Sequence, residues 1–408
     1  MVAMDATGVI PRITWSGATT DVISGLAVSD DELPHGPVRA GSSYEQLQAL
    51  VAKHQIASLI NRYMAVPLDP RMPAYDLGFF LERPGGIGSG RVSARWDSSE
   101  EMLASVGLYQ LFVAADGAPD QLKAQQQRQL ASSEHHLEVV IPGLVDGDGM
   151  RSVRAPARRE VVQLGEIAAE LVIPRIPVQD PLHCGGKLRN KSLKEKLAIG
   201  GAAITFAPLL ELLAQDASAG AALTLHKSDI SLRDRQDCKA LMRLVGERVL
   251  HWLRGRIPAD DRCRPLFYFL QLVRFAVYSF IDPELSVEQR VYQICYSRYF
   301  VEGWRLHLLA AGRAAEQCIT KNAFDCIIMN MDAMLLFLAF ILQNPHLRPV
   351  VPFALWRLGT QDLEHGHRDV RRQRKYELCT ADEYIARAFL TQVHAEIIAR
   401  CGHLFRWP

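Results

Sequence analysis

The chain has 408 residues, 49% of them hydrophobic and 22% charged, and its formal net charge is +1. These values are typical of globular proteins and exclude a chain that is disordered throughout, while the length allows two or three domains. A net charge this close to zero excludes a uniformly basic surface, so any contact with nucleic acid has to come from a local patch.

Cysteine usage and hydropathy exclude two further classes of protein. All eight Cys lie at or after position 184 and none form a CxxC pair, which argues against a zinc module and a disulfide scaffold. The longest uninterrupted apolar run, 333–342, is about half as long as a membrane span. Residues 1–22 lack a secretory signal, so we expect an intracellular protein with no membrane partner.

Composition and periodicity divide the chain into four predicted parts. Residues 1–40 are rich in Gly, Pro, Ser, Asp and Thr and are predicted to be a flexible N-terminal segment. Residues 41–190 are predicted to form the first part of an α/β core, because strand-like and helix-like stretches alternate there. An all-helical domain is predicted over 191–345, and residues 346–408 are expected to complete the core with C-terminal helices.

The first elements of the predicted core are a helix, a hairpin and a strand. Residues 42–64 begin with the Ser-to-Glu spacing of a capping box, which predicts a helix. Prolines end that helix, and a β-hairpin with a Gly-rich turn is predicted over 74–96. The apolar stretch 108–115 predicts a buried strand that ends at Asp116.

A second buried strand is predicted near the end of this part. Residues 144–158 are predicted to be a loop and 161–169 a short helix. The apolar run 171–179 then predicts a strand that ends at Asp180, with a basic helix directly behind it. The chain therefore holds two buried strands that each end at an aspartate.

Residues 191–345 have the pattern of several amphipathic helices. Ser286 and Thr320 are predicted to cap two long ones. The stretch 265–281 is apolar nearly all round, which predicts a central buried helix. We assign the aromatic residues between 292 and 304 to the core of this helical part.

Three acids stand at the ends of predicted elements: Asp116, Asp180 and Glu364. Carboxylates at the ends of neighbouring strands converge in open α/β sheets, and two or three of them can hold a pair of Mg²⁺ ions for phosphoryl transfer. The alternative is that each acid caps a helix or starts a turn, which is the commoner role for any one of them alone.

The basic segment behind Asp180 is a candidate phosphate-binding surface. Lys187, Lys191 and Lys194 fall on one helical face, and such a face can contact phosphates. His183 could orient Asp180 or face a phosphate. The alternatives are a solvated surface helix and a structural histidine.

Three stretches together resemble P-element-like and THAP-type DNA transposases. Residues 180–190 are similar to that family's Asp-Pro-x-His segment with its following Lys and Arg-Asn, and 115–118 to its Ser/Cys-Asp-Gly-Ala motif. Residues 361–371 are similar to its Gln-Asp-x-x-Glu segment with a downstream Arg. The stretches occur in the family's order, and the resemblance covers roughly residues 74–376.

The resemblance implies an α-rich α/β fold, in which an RNase H-like mixed sheet is interrupted by a large all-helical insertion. It also implies DNA strand cleavage and transfer that depend on Mg²⁺ or Mn²⁺, with Asp116 and Glu364 as metal ligands and Asp180 as a nearby acid. The implied nucleic-acid contacts are His183, Lys187, Arg189, Lys191, Lys194, Arg368 and Arg371.

The family's first catalytic aspartate stands on its first strand, and no motif in this sequence identifies that residue. Asp76 fits best because it lies in a predicted hairpin strand, and Asp69 and Asp97 are its rivals. No family-type zinc domain is evident at the N-terminus, since no Cys precedes position 184. These departures leave the catalytic activity of the chain open.

Three functions remain open from the sequence. The first is a transposase-derived nuclease that acts on DNA in the nucleus as a monomer or homo-oligomer. The second is a non-catalytic scaffold of transposon origin that binds nucleic acid or protein. The third is a helical interaction protein unrelated to transposases, in which the acids are helix caps and the stretches 108–115 and 171–179 are not paired strands.

Overall fold

The computed structural model describes residues 1–8, short segments between 14 and 56, and then 58–82, 88–142, 150–164, 167–215, 217–313, 317–360 and 380–401. The chain folds as two compact units. The first comprises Met1–Ala131, Val161–Glu170 and Gly359–Pro408, and the second comprises Ser132–Glu160 and Leu171–Leu358.

The first unit is built on a mixed sheet. Its strands in chain order are β1 (Val2–Gly8), β2 (Thr14–Ser16), β3 (Val22–Ser24), β4 (Leu26–Ala27), β5 (Gln55–Ile56), β6 (Leu59–Ala65), β7 (Tyr75–Glu82) and β8 (Phe112–Ala115). Four strands of the main sheet belong to this unit, in the order β8-β1-β6-β7. The pairings β1–β6 and β6–β7 are antiparallel, whereas β1 and β8 are parallel. β1 is therefore an interior strand of a mixed sheet.

Three expectations for this unit are wrong. Residues 2–8, predicted to be flexible, form β1, and Val2 and Ala3 are fully buried. The end of the helix predicted over 42–64 is instead the strand β6. The second arm of the predicted hairpin begins the helix α1 (Ser89–Ser105), although its first arm is the strand β7.

Helices cover both faces of this part of the sheet. On one face, α1 and α2 (Pro119–Leu130) pack on β1 and β8, with Val2, Met4, Trp96 and Val113 in one buried cluster. On the other face, the C-terminal helix (Ala381–Cys401) packs on β6 and β7 through the buried residues Ile60, Ala381, Tyr384 and Ala388. Burial on both sides explains why apolar residues of β1 and β6, such as Val2, Ala3, Ile60 and Tyr63, are fully buried whichever face they occupy.

The second unit contains a long hairpin. β9 (His135–Pro142) pairs antiparallel with β10 (Met150–Leu164), from Met150↔Pro142 to Ala157↔His135. β11 (Ile167–Pro174) and β12 (Ile176–Gln179) follow. The loop predicted over 144–158 and the helix predicted over 161–169 are therefore wrong where these residues are described. The stretches 108–115 and 171–179 both contain strands, which argues against the helical interaction protein in which they are not strands.

Helices dominate the rest of the second unit, as predicted for 191–345. In chain order they are α3 (Pro181–Lys194), α4 (Ala207–Gln215), α5 (Ala217–Leu223), α6 (Cys238–Leu244), α7 (Glu247–Arg256), α8 (Cys263–Ile281), α9 (Val287–Ala310) and α10 (Lys321–Gln343). A small hairpin, β13 (Ala198–Ile199) with β14 (Ala202–Ala203), lies between α3 and α4. The C-terminal helix of the first unit is α11.

The helix α10 is long and apolar enough to cross a membrane by length and composition. In this fold, 72% of its most apolar window is buried inside the protein. That burial is typical of the central helix of a helical core. The predicted caps of the two longest helices are confirmed, because Ser286 Oγ accepts from Gln289 N and Thr320 Oγ1 accepts from Ala323 N.

A glycine sets the close approach of α3 to its neighbours. A Cβ on Gly185 would lie 2.6 Å from Val277 Cγ2 on α8 and 2.7 Å from Leu241 Cδ2 on α6, whereas a Cβ on the adjacent Gly186 would meet nothing within 4 Å. Residue 185 therefore has no room for a side chain, and residue 186 does.

We expect Gly185→Ala to destabilise the second unit by about 1–3 kcal/mol, because overpacking outweighs the helix propensity gained. The matched variant Gly186→Ala should instead stabilise it by about 0.5–1 kcal/mol. Denaturant unfolding of the two variants measures the difference, and equal effects at both positions would contradict this packing.

Candidate active site

Two aspartates lie side by side on adjacent parallel strands of the first unit. β1 and β8 pair as Val2↔Val113 and Ala3↔Ala114. Extended by two residues, the same register brings Asp5 of β1 level with Asp116, the first residue after β8. Neighbouring strands are about 4.8 Å apart, so this register would place the backbones of the two aspartates next to each other.

Strand alternation places both aspartates on the same face of the sheet. Met4 and Ala115, which precede them, point into the buried cluster against α1 and α2. Successive side chains of a strand point to opposite faces, so Asp5 and Asp116 belong to the other face. Both residues are partly exposed.

The turn after β8 fixes Asp116. Its Oδ1 accepts a hydrogen bond from Ala118 N at 2.8 Å, and Gly117 has a φ of 80°. That positive φ favours glycine, and Pro119 then begins α2 at a position where proline is well tolerated. The sequence Asp-Gly-Ala-Pro therefore forms a turn that ends β8 directly before Asp116 and begins α2 at Pro119.

Asp76 has a different environment from the one expected for a first catalytic acid. It lies on β7, two strands away from β1, and its carboxylate binds the Arg62 side chain, with Nε–Oδ1 at 2.6 Å and Nη2–Oδ2 at 3.0 Å. The expectation that Asp76 stands on the first strand is wrong, because that strand is β1 and its aspartate is Asp5. The rivals also have arginine partners: Asp69 binds Arg71 and Asp97 binds Arg128.

Arg62 links Asp76 to the face of the sheet that carries Asp5. It is 1% exposed and is the cross-strand partner of Asp5 in the β1–β6 register. Burial alone would lower the pKa of Arg62, but its hydrogen bond to Asp76, with a contribution from Tyr384 of α11, raises that pKa above the ordinary value. The guanidinium is therefore a permanent buried cation.

Asp180 is the N-cap of α3. Its Oδ1 accepts from His183 N at 2.9 Å, and the residue is completely buried. This contact satisfies one of the amide groups that a helix leaves without a partner at its first turn. These contacts support the alternative role that the sequence suggested for Asp180, which is to cap a helix.

The basic residues of α3 make mostly intramolecular contacts. Arg189 is 2% exposed and donates to three backbone carbonyls, those of Asp229, Ser231 and Asp234. Lys187 Nζ donates to Asn322 Oδ1 at 3.2 Å, and Lys191 is paired with Glu195. Lys194 is exposed. Arg189 is thus a packing residue, and its burial contradicts the expectation of a phosphate contact.

The donor set of the Asp5–Asp116 pair fits a hard divalent cation such as Mg²⁺ or Mn²⁺, which prefers carboxylate oxygens. Within the described part of the chain, no group of three or more His, Cys, Asp or Glu side chains is arranged to hold a metal. The predicted third acid, Glu364, and the predicted contacts Arg368 and Arg371 lie outside the described residues.

Asp5 is the site residue that sequence reasoning missed. The signal available was the run Val2-Ala3-Met4 directly before it, four apolar residues with Met1 that end at an acid. The same pattern of an apolar strand ending at an aspartate identified Asp116. This signal was outweighed by the Gly- and Pro-rich composition of the following residues, which predicted a flexible segment.

Comparison with known proteins shows a similarity of fold to a solved structure. No protein-family model matches the sequence, and no curated protein matches it in sequence. A solved structure, the Drosophila P element transposase strand transfer complex, is similar with a TM-score of 0.64 and 13% identity, over 99% of this chain and 78% of that chain. The chain therefore has a transposase-like α/β fold, and its mixed sheet and largely helical second part are consistent with the RNase H-like class that was expected.

Proposed function

We propose that this protein is a transposase-derived nuclease of the DNA strand-transfer type, with Asp5 and Asp116 as its first two catalytic acids and Glu364 as the third. The observation that supports this most is the register of β1 and β8, which sets two partly exposed aspartates beside each other in a mixed sheet. The similarity of the fold to a transposase strand transfer complex supports DNA as the substrate.

The chain's own residues would supply rigidity and negative charge in this mechanism. Asp5 stands on an interior strand, and Asp116 is held by its turn, so the backbone positions of both acids are fixed by the fold. Their combined charge suits Mg²⁺ or Mn²⁺, which when bound activates the attacking water or 3′-OH and stabilises the leaving oxygen. In this mechanism a DNA phosphate would bind next to the two aspartates that the strands position.

We expect the full-length protein to nick or join DNA in Mg²⁺ or Mn²⁺ and to lose that activity by roughly 100-fold or more in Asp116→Asn, because removal of a carboxylate weakens the metal site directly. The measurement is cleavage of a supercoiled plasmid and of short duplexes with recessed and blunt ends, with EDTA and with Asp97→Asn as controls.

A protein that cleaves equally well as Asp116→Asn would contradict the proposed role of Asp116. Wild-type protein that binds DNA without any metal-dependent cleavage would instead favour the non-catalytic, transposon-derived scaffold that the sequence left open. The two outcomes are separated by measuring DNA binding and cleavage on the same preparations.

A further inference from the structure

The exposed face of the helix α7 in the second unit carries an excess of positive charge. Three of its ten residues are arginines, Arg248, Arg254 and Arg256, and all three are exposed. Its one acid, Glu247, is already bound by Arg274 of α8, with Oε1 2.8 Å from Nη2. Within the described part of the chain, none of the three arginines forms an ion pair with a carboxylate. The face therefore keeps the charge of its arginines.

Three exposed cations elsewhere in the second unit show the contrast. Arg154, Arg264 and Lys321 are 61%, 59% and 74% exposed, and each has a carboxylate oxygen within 3.3 Å of its side-chain nitrogen. Such a pair has no net charge, so these positions attract an anion less than α7 does. In a chain whose net charge is only +1, α7 is a local basic patch of the kind that contact with nucleic acid requires.

The stability of α7 does not account for its composition. Arg254 and Arg256 stand in the last turn, where the helix dipole favours a cation, but Arg248 stands in the first turn, where it does not. Arg248 Nη1 donates to Ala222 O at 3.2 Å, and this contact leaves the charge in place. Gly255 is exposed, weakens the helix, and has nothing within 4 Å of the position of a Cβ. An anionic ligand that approaches the helix backbone closely would account for both residues.

We propose that the exposed face of α7 binds the phosphate backbone of DNA, with Arg248, Arg254 and Arg256 as the phosphate contacts. The planar fork of N–H donors in arginine matches the geometry of a phosphate. The Arg256 guanidinium lies 5.8 Å from the centre of the Trp252 ring, and a cation–π contact uses none of its N–H donors. The choice of DNA as the ligand rests on the proposed function, because a strand-transfer nuclease has to hold its substrate.

The first measurement is the affinity of the full-length protein for a short fluorescein-labelled DNA duplex, followed by anisotropy in EDTA between about 50 and 200 mM KCl. EDTA removes any contribution of a bound cation at the two aspartates. The helix triple variant combines Arg248→Gln, Arg254→Gln and Arg256→Gln. We expect it to bind more weakly and to make the slope of log K against log salt shallower by about 2–3, since each phosphate contact contributes about 0.9 to that slope.

The matched control removes the same charge from paired positions, by Arg154→Gln, Arg264→Gln and Lys321→Gln together, and should leave the salt slope unchanged. Equal changes of slope in the two triple variants would overturn the proposal. Lysine at all three α7 positions should keep most of the slope, because the charge is retained. If the helix triple variant does not fold, the pair Arg254→Gln and Arg256→Gln replaces it, with a slope shallower by about 2.

The second measurement separates this surface from the proposed function and from a membrane partner. Wild type that loses its salt slope in the helix triple variant, but does not cleave DNA in Mg²⁺ or Mn²⁺, supports the α7 surface and counts against the nuclease. A protein that cleaves DNA, and whose helix triple variant keeps the wild-type slope, overturns the surface alone. Loss of binding to phosphatidylserine vesicles with unchanged binding to DNA also overturns it, as does a wild type that binds no DNA.

Discussion

Replacing Asp5 with Asn is expected to weaken Mn²⁺ binding by roughly 100-fold or more, since even the outer hydrogen-bond partners of a metal ligand are worth 10–100-fold. Asp5 is one of two carboxylates that the β1–β8 register brings together, so its loss removes half of the described charge at the site. The neutral amide keeps the size of the side chain, which separates loss of charge from loss of packing. DNA cleavage should fall with the affinity.

Two other aspartates provide the comparison for this experiment. Asp97→Asn should leave Mn²⁺ affinity unchanged, because Asp97 is 54% exposed on the helix α1 and is paired with Arg128. Asp76→Asn should lower the melting temperature, because it breaks a pair in which Arg62 is almost fully buried. A result in which Asp76→Asn abolishes binding and Asp5→Asn does not would restore Asp76 as the first acid.

The helical half of the fold was predictable because its signals are local. Ser286 with Gln289, and Thr320 ahead of a long apolar run, are caps that act within one turn of their own helices, and both are confirmed. Asp116 was predictable for the same reason, because an apolar strand, Asp-Gly and a proline follow one another directly. In each case the interacting groups are a few residues apart.

The strands that were missed depend on partners far away in the chain. β1 is stabilised by pairing with β6 and β8, and its short apolar run is outweighed by the Gly- and Pro-rich composition of the residues that follow. β10 contains four arginines, and one of them, Arg154, is paired with Glu138 across the hairpin. Cross-strand pairs of this kind favour a strand, but the pairing register has to be known before they can be recognised.

The same distinction applies to the site. Asp5 and Asp116 are neighbours because β1 pairs in parallel with β8, and these two strands are more than 100 residues apart in the chain. Arg62 was not considered in the sequence, because its neighbours Asn61 and Tyr63 give no sign of a charged residue with 1% exposure. The ion pair with Asp76 explains how Arg62 can be buried. The role of Asp76 likewise becomes clear only when its pairing with Arg62 is known.

Arg189→Met is expected to destabilise the second unit by about 3–5 kcal/mol, since hydrogen bonds from a charged group contribute about 1.5–3 kcal/mol and their loss leaves buried acceptors unmatched. Arg189 Nε and Nη2 both donate to Asp229 O, Nη2 also donates to Ser231 O at 2.9 Å, and Nη1 donates to Asp234 O at 3.2 Å. These bonds tie the segment 229–234 to α3, and methionine can replace the volume of the side chain but none of the donors.

Lys194→Met is the control on the same helix, because Lys194 is exposed and should change stability by less than about 0.5 kcal/mol. Urea unfolding followed by far-ultraviolet circular dichroism measures both variants, and DNA binding is then measured at two salt concentrations on the folded proteins. A phosphate contact by Arg189 would give the reverse pattern, in which stability is kept and the salt dependence of DNA binding becomes shallower. We expect the loss of stability, because a guanidinium that is 2% exposed and bonded to three carbonyls has no accessible edge for a phosphate.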